Sequence, residues 1–304
     1  MAFQVTRDQF CSILPQLHVF PHLVTVYNSV KQYSSGQIDE CSVELFGYPK
    51  LKPVLWLVFK LHKYSIPYVL IQATTEEPEA LKQGIHKVFD LISVQVEQLD
   101  ALLIVASDGI LAYVDLEMKA LGTHPHITCN DPYTMFYMDK DQCDKLMKTD
   151  LKLPEGFTFV DLEADRDAEM TTAQMPYAGN GDLEQARSRM RTMPSVGIKH
   201  DLTNQIISFE YCSGFGHITH QYTFPEFRGL GLGRLVELRL CQKVIQELGI
   251  APVKQVSRCR PRVIAMSKGS PFWTAYKNAQ GSDILGYFRA YRKHPQEMFA
   301  MTEN

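Results

Sequence analysis

The chain has 304 residues, 45% of them hydrophobic and 21% charged, with a formal net charge of −3 at pH 7. That size and composition support a substantial buried core in one large domain or two ordinary ones. The charge excludes a global attraction to nucleic acid, and the longest apolar runs, 54–59 and 101–106, fall far short of the about 20 residues a membrane helix needs.

Seven cysteines form an odd set with no CxxC pair, which argues against a disulfide framework and a zinc site and for reduced thiols in an intracellular protein. The first 30 residues hold only Asp8 and Arg7 as charged groups, without a secretory pattern, and read as an ordinary first helix rather than a transit peptide.

In chain order, residues 6–17 read as a short helix containing Pro15, followed by a Ser34-Ser35-Gly36 loop. Residues 54–59 and 68–72 are strand-like, being short apolar runs with β-branched and aromatic members. From 77 to 99, Leu81, Ile85, Val88, Phe89, Ile92 and Val96 recur at helical spacing. A strand over 101–106 and a helix over 110–121 complete an alternating α/β first half. The Lys- and Asp-rich stretch 138–155 reads as a surface helix and a linker, which divides the chain into domains 1–152 and 153–304.

The second half opens with a strand at 157–162 and helices at 165–175 and 182–192. Strands follow at 195–200, 205–212 and 215–224, the last two joined as a hairpin by Ser213-Gly214. A periodic helix then runs to Leu248, with Leu232, Leu235, Val236, Leu240, Val244 and Ile245 inward and Gly249 as its stop. A strand at 253–256, a short helix opening at 270–273 and a final strand at 284–291 end the reading. No internal repeat is visible in the sequence.

The segment that carries chemistry is Pro225-Glu-Phe-Arg228-Gly229-Leu230-Gly231-Leu232-Gly233, between a strand and a helix. Glycines let backbone approach a ligand closely, the helix N-terminus favours an anion, and Arg228 adds a forked cationic donor. Together they describe a pyrophosphate site. The spacing is wrong for the dinucleotide fingerprint, whose third glycine comes one residue later, and no Gly-Lys-Ser/Thr follows as a P-loop requires.

Arg228-x-x-Gly231-x-Gly233 matches the Q/R-x-x-G-x-G/A motif of the GNAT acyltransferases, and Thr223-Phe-Pro-Glu-Phe-Arg228 resembles the T-L-P-E-Y-R string of the glycine N-acyltransferase family. Residues 178–187 resemble that family's glycine-rich turn and helix, and 193–198 its next strand. The resemblance covers the chain and is strongest from about 175 to 250.

It implies an α/β (α+β) architecture: a GNAT fold in the C-terminal half, with a mixed central sheet and flanking helices, after a smaller α/β N-terminal domain. It implies a transferase that moves an acyl group from acyl-coenzyme A, as co-substrate rather than bound cofactor, to the amine of a small amino acid such as glycine. It also implies a mitochondrial matrix location, where the N-terminus alone points to the cytoplasm. Neither nucleic acid nor membrane is an expected partner, and oligomeric state is left open.

By the resemblance, Arg228, Gly229, Leu230, Gly231, Leu232 and Gly233 hold the pyrophosphate, and the backbone of Tyr222, Thr223 and Phe224 meets the pantetheine arm and thioester. The family's glutamate base, eight residues before the motif proline, is replaced here by His217. His217 is either a base, with an ordinary pKa suited to neutral pH, or a packed hairpin residue, with Glu210 and His220 in reserve. Strand alternation places His217, Thr219, Gln221 and Thr223 on one face and Ile218, His220 and Tyr222 on the other. Tyr276 is the candidate acid for the leaving thiolate, or else a packed aromatic. Arg258, Arg260 and Arg262 form a basic cluster that suits a phosphate, a carboxylate or a solvated face. Two other readings stay open: an acetyltransferase for another amine or protein lysine, and an acyl-coenzyme A-binding protein without catalysis.

Overall fold

The structure, a computed structural model, describes residues 1–36, 40–176 and 178–295, so 296–304, at the end of the expected acyltransferase domain, lie outside the described residues. The first half runs β1 (Phe3–Val5), α1 (Phe10–Leu17), α2 (Val24–Ser34), β2 (Cys41–Tyr48), β3 (Leu55–His62), β4 (Tyr68–Ala73), α3 (Pro78–Gln98), β5 (Ala101–Ser107), α4 (Asp108–Leu121), β6 (His126–Tyr137) and α5 (Lys140–Met147). The second runs β7 (Phe157–Val160), α6 (Ala164–Ala173), α7 (Asp182–Thr192), β8 (Ser195–His200), β9 (Ile206–Cys212), β10 (Ile218–Thr223), α8 (Leu232–Lys243), β11 (Val253–Ser257), α9 (Pro261–Lys268), β12 (Thr274–Ala275) and β13 (Leu285–Arg292).

Hydrophobic spacing decides the long helices. All six apolar residues expected to face inward from α3 are buried against the first sheet. On α8, Leu232, Val236 and Leu240 are buried, as is Val244 in the π-helical turn Val244–Leu248 that continues it. Gly249 ends that turn in the left-handed region, φ 61°, which an L side chain adopts only at a cost. By contrast, residues 270–273 form no helix. They lead into the short strand β12, and the helix of this region is α9, started by Pro261 in its first turn, where the missing N–H costs nothing.

The strand order of the large sheet is β1-β2-β3-β4-β5-β13-β6-β11, with β12 alongside β6, and that of the small sheet is β10-β9-β8-β7. In the first half, β1 to β4 are antiparallel neighbours, and α3 carries the chain across to β5, parallel to β4. In the second half, β7 to β10 are antiparallel neighbours, and α8 carries the chain across to β11. Two helices separate the first two strands in each half, α1 and α2 or α6 and α7. The same topology thus occurs twice, although the sequence shows no repeat. A fold is maintained by which positions are apolar, and that constraint survives loss of residue identity.

The halves exchange strands. β13 lies between β5 and β6, with Ala290 opposite Leu103 on one side and Cys129 on the other. β6 in turn pairs with β11, Tyr133 opposite Ser257. The small sheet is covered by α8 on one face and by α6 and α7 on the other.

Candidate functional site

The two copies of the strand–helix–strand crossover differ where it matters. In the first half β4 and β5 are zipped over three rungs, from Tyr68↔Leu103 to Leu70↔Val105. In the second half β10 and β11 meet only in an isolated parallel bridge, His217↔Val253, and then diverge into different sheets. Past that bridge the edge of β10 away from β9 has no partner strand among the described residues, so its backbone N–H and C=O groups are available to a ligand. The result is a V-shaped opening closed at His217 and Val253.

The loop at the head of α8 faces the wide end of this V. Pro225 to Phe227 make one 3-10 turn. Gly229 and Gly231 then take φ values of 83° and 77°, and a Cβ on either would meet nothing within 4 Å. Space does not demand glycine at these positions; the backbone conformation does. Gly231 is the N-cap of α8 and supplies no side chain to its first N–H groups, leaving them for an anion. Gly233 is different: a Cβ there would lie 3.3 Å from Thr223 Oγ1, so its lack of a side chain lets the helix approach the end of β10.

Arg228 is exposed, donates from Nε to the Thr223 carbonyl at 2.9 Å, and lies over the Tyr222 ring at 5.5 Å. These contacts hold the guanidinium at the mouth of the loop with its other donors free to pair with phosphate oxygens. Tyr222, Thr223 and Phe224 form the end of β10, fixed by Ser208, whose Oγ lies 2.8 Å from Thr223 Oγ1, and by the Phe224 N–H donating to the Ile207 carbonyl at 3.0 Å. The corresponding turn in the first half reads Thr74-Thr75-Glu76-Glu77-Pro78, without glycine and with two carboxylates, which repel a pyrophosphate. The glycine and arginine pattern is confined to the second half of the pair.

The strand alternation expected for β10 is broken. The register slips between Thr219 and Tyr222, and His220 takes a left-handed φ of 58°. A bulge adds one residue without a partner and resets which face each side chain occupies. Ile218 and Gln221, expected on opposite faces, therefore both meet the α8 side: Ile218 packs in the core with α8, and Gln221 Nε2 donates to Glu210 Oε2 at 3.2 Å and to the Gly233 carbonyl at 2.8 Å.

His217 is buried at the junction of the halves. Its Nε2 lies 3.3 Å from Thr25 Oγ1 of α2, and its ring stacks beside Phe215, which carries Lys60 Nζ 4.5 Å above it. Burial, with Lys60 nearby, pushes its pKa down to about 3, so the imidazole is neutral at physiological pH. The Tyr276 hydroxyl lies 2.9 Å from His22 Nδ1, just ahead of α2, and burial, with Glu76 and Tyr137 close, raises its pKa to about 12. The structure therefore places His217 at the closed end of the V and Tyr276 beside the N-terminal helices, and brings the residues from Tyr222 to Gly233 together at the open end.

Beside Glu210, a reserve candidate from the sequence, lies a buried polar pair that the sequence did not single out. Glu237 of α8 pairs with Lys254 of β11 and accepts from Trp273 Nε1 at 2.9 Å, and Lys254 Nζ also lies 4.4 Å above the Trp273 ring. Glu210 is buried alongside; burial and the nearby Glu237 raise its pKa well above the carboxylate range, although Lys254 and Gln221 oppose the shift. One signal was available. Glu237 stands between Val236 and Leu238 in the periodic helix, and Lys254 follows the buried Val253 in the next strand.

No protein-family model matches the chain and no curated protein matches it. Solved structures do. A Drosophila protein from a structural genomics programme superposes with a TM-score of 0.72 at 15% identity, covering 96% of this chain and 98% of that one. A tandem GNAT protein from the clavulanic acid biosynthesis pathway has a TM-score of 0.53 at 14% identity over 98% and 99%. A GCN5-related N-acetyltransferase from Sphaerobacter thermophilus has a TM-score of 0.50 at 10% identity over 98% of each chain. The chain has the GNAT fold, and the likeness covers 96–98% of its length, both halves included.

Proposed function

We propose that the chain is an acyl-coenzyme A-dependent N-acyltransferase whose site lies in the second half and whose acceptor is the amine of a small amino acid such as glycine. The observation that carries the reading is the juxtaposition of the Arg228–Gly233 turn, at the head of α8, with the unpaired edge of β10. A pyrophosphate on the turn directs the pantetheine arm along β10 into the V, where strand N–H groups meet the thioester oxygen as it gains negative charge. Both substrates are held side by side, so no covalent enzyme intermediate is required. The acceptor class is supported by the resemblance of Thr223-Phe-Pro-Glu-Phe-Arg228 to the glycine N-acyltransferase string.

The test is release of coenzyme A thiol from a panel of acyl-coenzyme A donors, with and without each amino acid and with simple amines and lysine peptides as further acceptors. Release that depends on an amino acid supports the reading. Release only with a lysine peptide or another amine makes the chain an acetyltransferase of that kind. A second reading, a coenzyme A-binding protein without turnover, is favoured by one observation: the histidine in the family's glutamate position is enclosed by α2. Tight binding without release for any acceptor supports it.

A further inference from the structure

The closed end of the V is built by both halves. Where β10 and β11 meet at His217 and Val253, α2 of the first half reaches the junction. Its Thr25 Oγ1 lies 3.3 Å from His217 Nε2, at the foot of β10, and donates to Met135 Sδ of β6 at 3.8 Å. β6 is the partner of β11, with Met135 opposite Gln255. The series His217, Thr25, Met135 therefore forms a crossbar. It starts on one arm of the V, passes through a helix of the other half, and ends on the strand paired with the second arm. Thr25 is fully buried, and His217 and Met135 are 6% and 5% exposed.

The crossbar is held from several directions. Gln72 Oε1 of β4 accepts from the Thr25 and Val26 N–H groups at 3.1 and 2.9 Å, and Ser29 Oγ donates to the Thr25 carbonyl at 2.7 Å. The His217 backbone N–H donates to Ser213 Oγ at 3.3 Å, and the neighbouring Phe215 ring lies 4.1 Å from that of Tyr68. The Thr25 hydroxyl has one hydrogen, directed at sulfur, so it accepts from the imidazole, whose proton sits on Nε2. The ring is thus a donor in a packed contact. Moving it aside leaves a buried N–H without an acceptor, which costs more than the bond itself is worth.

We propose that this crossbar is the stop that sets acyl length, so that the site takes acetyl-sized acyl groups and rejects long or aromatic ones. This rests on the acyl-coenzyme A reading above. The six residues of β10 span roughly 20 Å at about 3.3 Å each, and an extended pantetheine arm is of about that length. With its phosphate end at the Gly231 turn, the arm carries the thioester down the strand past the bulge, and the acyl group is the part that faces His217. A longer chain has room only by displacing His217 or Thr25, against both close packing and the hydrogen bond between them. The first half, which lacks the glycine turn, contributes to the reaction by supplying α2 as this stop.

The test compares acetyl- and hexanoyl-coenzyme A on the full chain, by calorimetric titration without acceptor and by thiol release with the best acceptor of the panel. The wild type should favour acetyl-coenzyme A at least about 100-fold in kcat/KM, since each methylene a pocket cannot hold is worth about tenfold or more. His217→Ala and Thr25→Ala, which shorten the crossbar from opposite halves, should each reduce that preference at least about tenfold. His217→Gln keeps a side-chain N–H donor and should retain the wild-type preference. Each preference is a ratio of two donors on one preparation, so loss of folded protein cancels from it, and either alanine variant suffices if the other fails to fold. A wild type that accepts both donors equally, or alanine variants with an unchanged ratio, would overturn the stop. An equal fall with both donors in His217→Ala and His217→Gln makes His217 a base and overturns it too. A wild type that selects acetyl-coenzyme A in binding yet releases no thiol upholds the stop and fails the turnover reading.

Discussion

Substituting Gly231 by Ala separates the conformational role of the phosphate turn from its binding role. At φ 77° an alanine is disfavoured by about 1–2 kcal/mol, partly offset by the about 0.4–1 kcal/mol gained because alanine restricts the unfolded chain. With nothing within 4 Å of the added Cβ, no steric cost joins these, so the net loss is about 1 kcal/mol. In a protein of this size that corresponds to a fall in Tm of about 2–4 °C. The methyl group protrudes where the pyrophosphate is to lie, so the Kd for coenzyme A should rise at least about tenfold, or about 1.4 kcal/mol. Gly233→Ala is the control. Its Cβ approaches Thr223 Oγ1 at 3.3 Å but gains helix propensity, so the two effects nearly cancel and Tm should barely change. Calorimetric titration of coenzyme A and thermal unfolding without ligand provide both readouts. If Gly231→Ala lowers Tm as expected yet binds coenzyme A like the wild type, the turn is not the pyrophosphate site.

Other consequences follow from buried charge and packing. Lys254→Met should cost about 3–5 kcal/mol because it strands the Glu237 carboxylate in the core, and Lys254→Met with Glu237→Gln should recover much of it; urea unfolding of both variants checks this. His217 and His220 have folded pKa values below the unfolded one, so their contribution is fully present above about pH 6.5 and is lost as pH falls toward 3, at up to about 1.4 kcal/mol per pH unit each. Glu210, raised by burial, works the other way: its contribution is fully present below its unfolded pKa and is lost as pH rises through the folded one, so Glu210→Gln should shift the urea midpoint upward at pH 7. Gly286→Ala would drive a Cβ to 2.3 Å from the Tyr133 ring between β13 and β6; the expected loss is about 1–3 kcal/mol, the range for overpacking, measured by chemical denaturation.

The glycine turn before α8 was legible because its signal is local: glycines, an arginine and a periodic helix within a short window. So were α3 and α8, whose apolar stripes repeat over several turns. β6 was not, because Pro132 interrupts it and proline argues against a strand. The structure accommodates Pro132 just beyond the last rung to β11, Tyr133↔Ser257, where its carbonyl still accepts from the Arg258 N–H at 2.7 Å and the missing N–H falls at the end of the ladder. The bulge at His220 was invisible as well, since nothing in Ile-Thr-His-Gln-Tyr-Thr announces an unpaired residue and alternation was the natural expectation. The placement of β13 beside β5 depends on contacts between residues nearly two hundred positions apart, which no local pattern encodes. The glycine turn before α8 was thus readable from the sequence, and the bulged course of β10 that leads to it was not.

The exchange of terminal strands also bears on how the chain is made. Synthesis proceeds from the N-terminus, and in most two-domain proteins the first unit closes while the second is still being assembled. Here β5 has no neighbour on its open edge until residues 285–292 arrive, and β6 waits for both β13 and β11. An unsatisfied edge of this kind invites pairing with a foreign strand. The first half must remain in that unfinished state from the emergence of β5 until residues 285–292 follow, so the nascent chain is most exposed to misassociation just before β13 emerges.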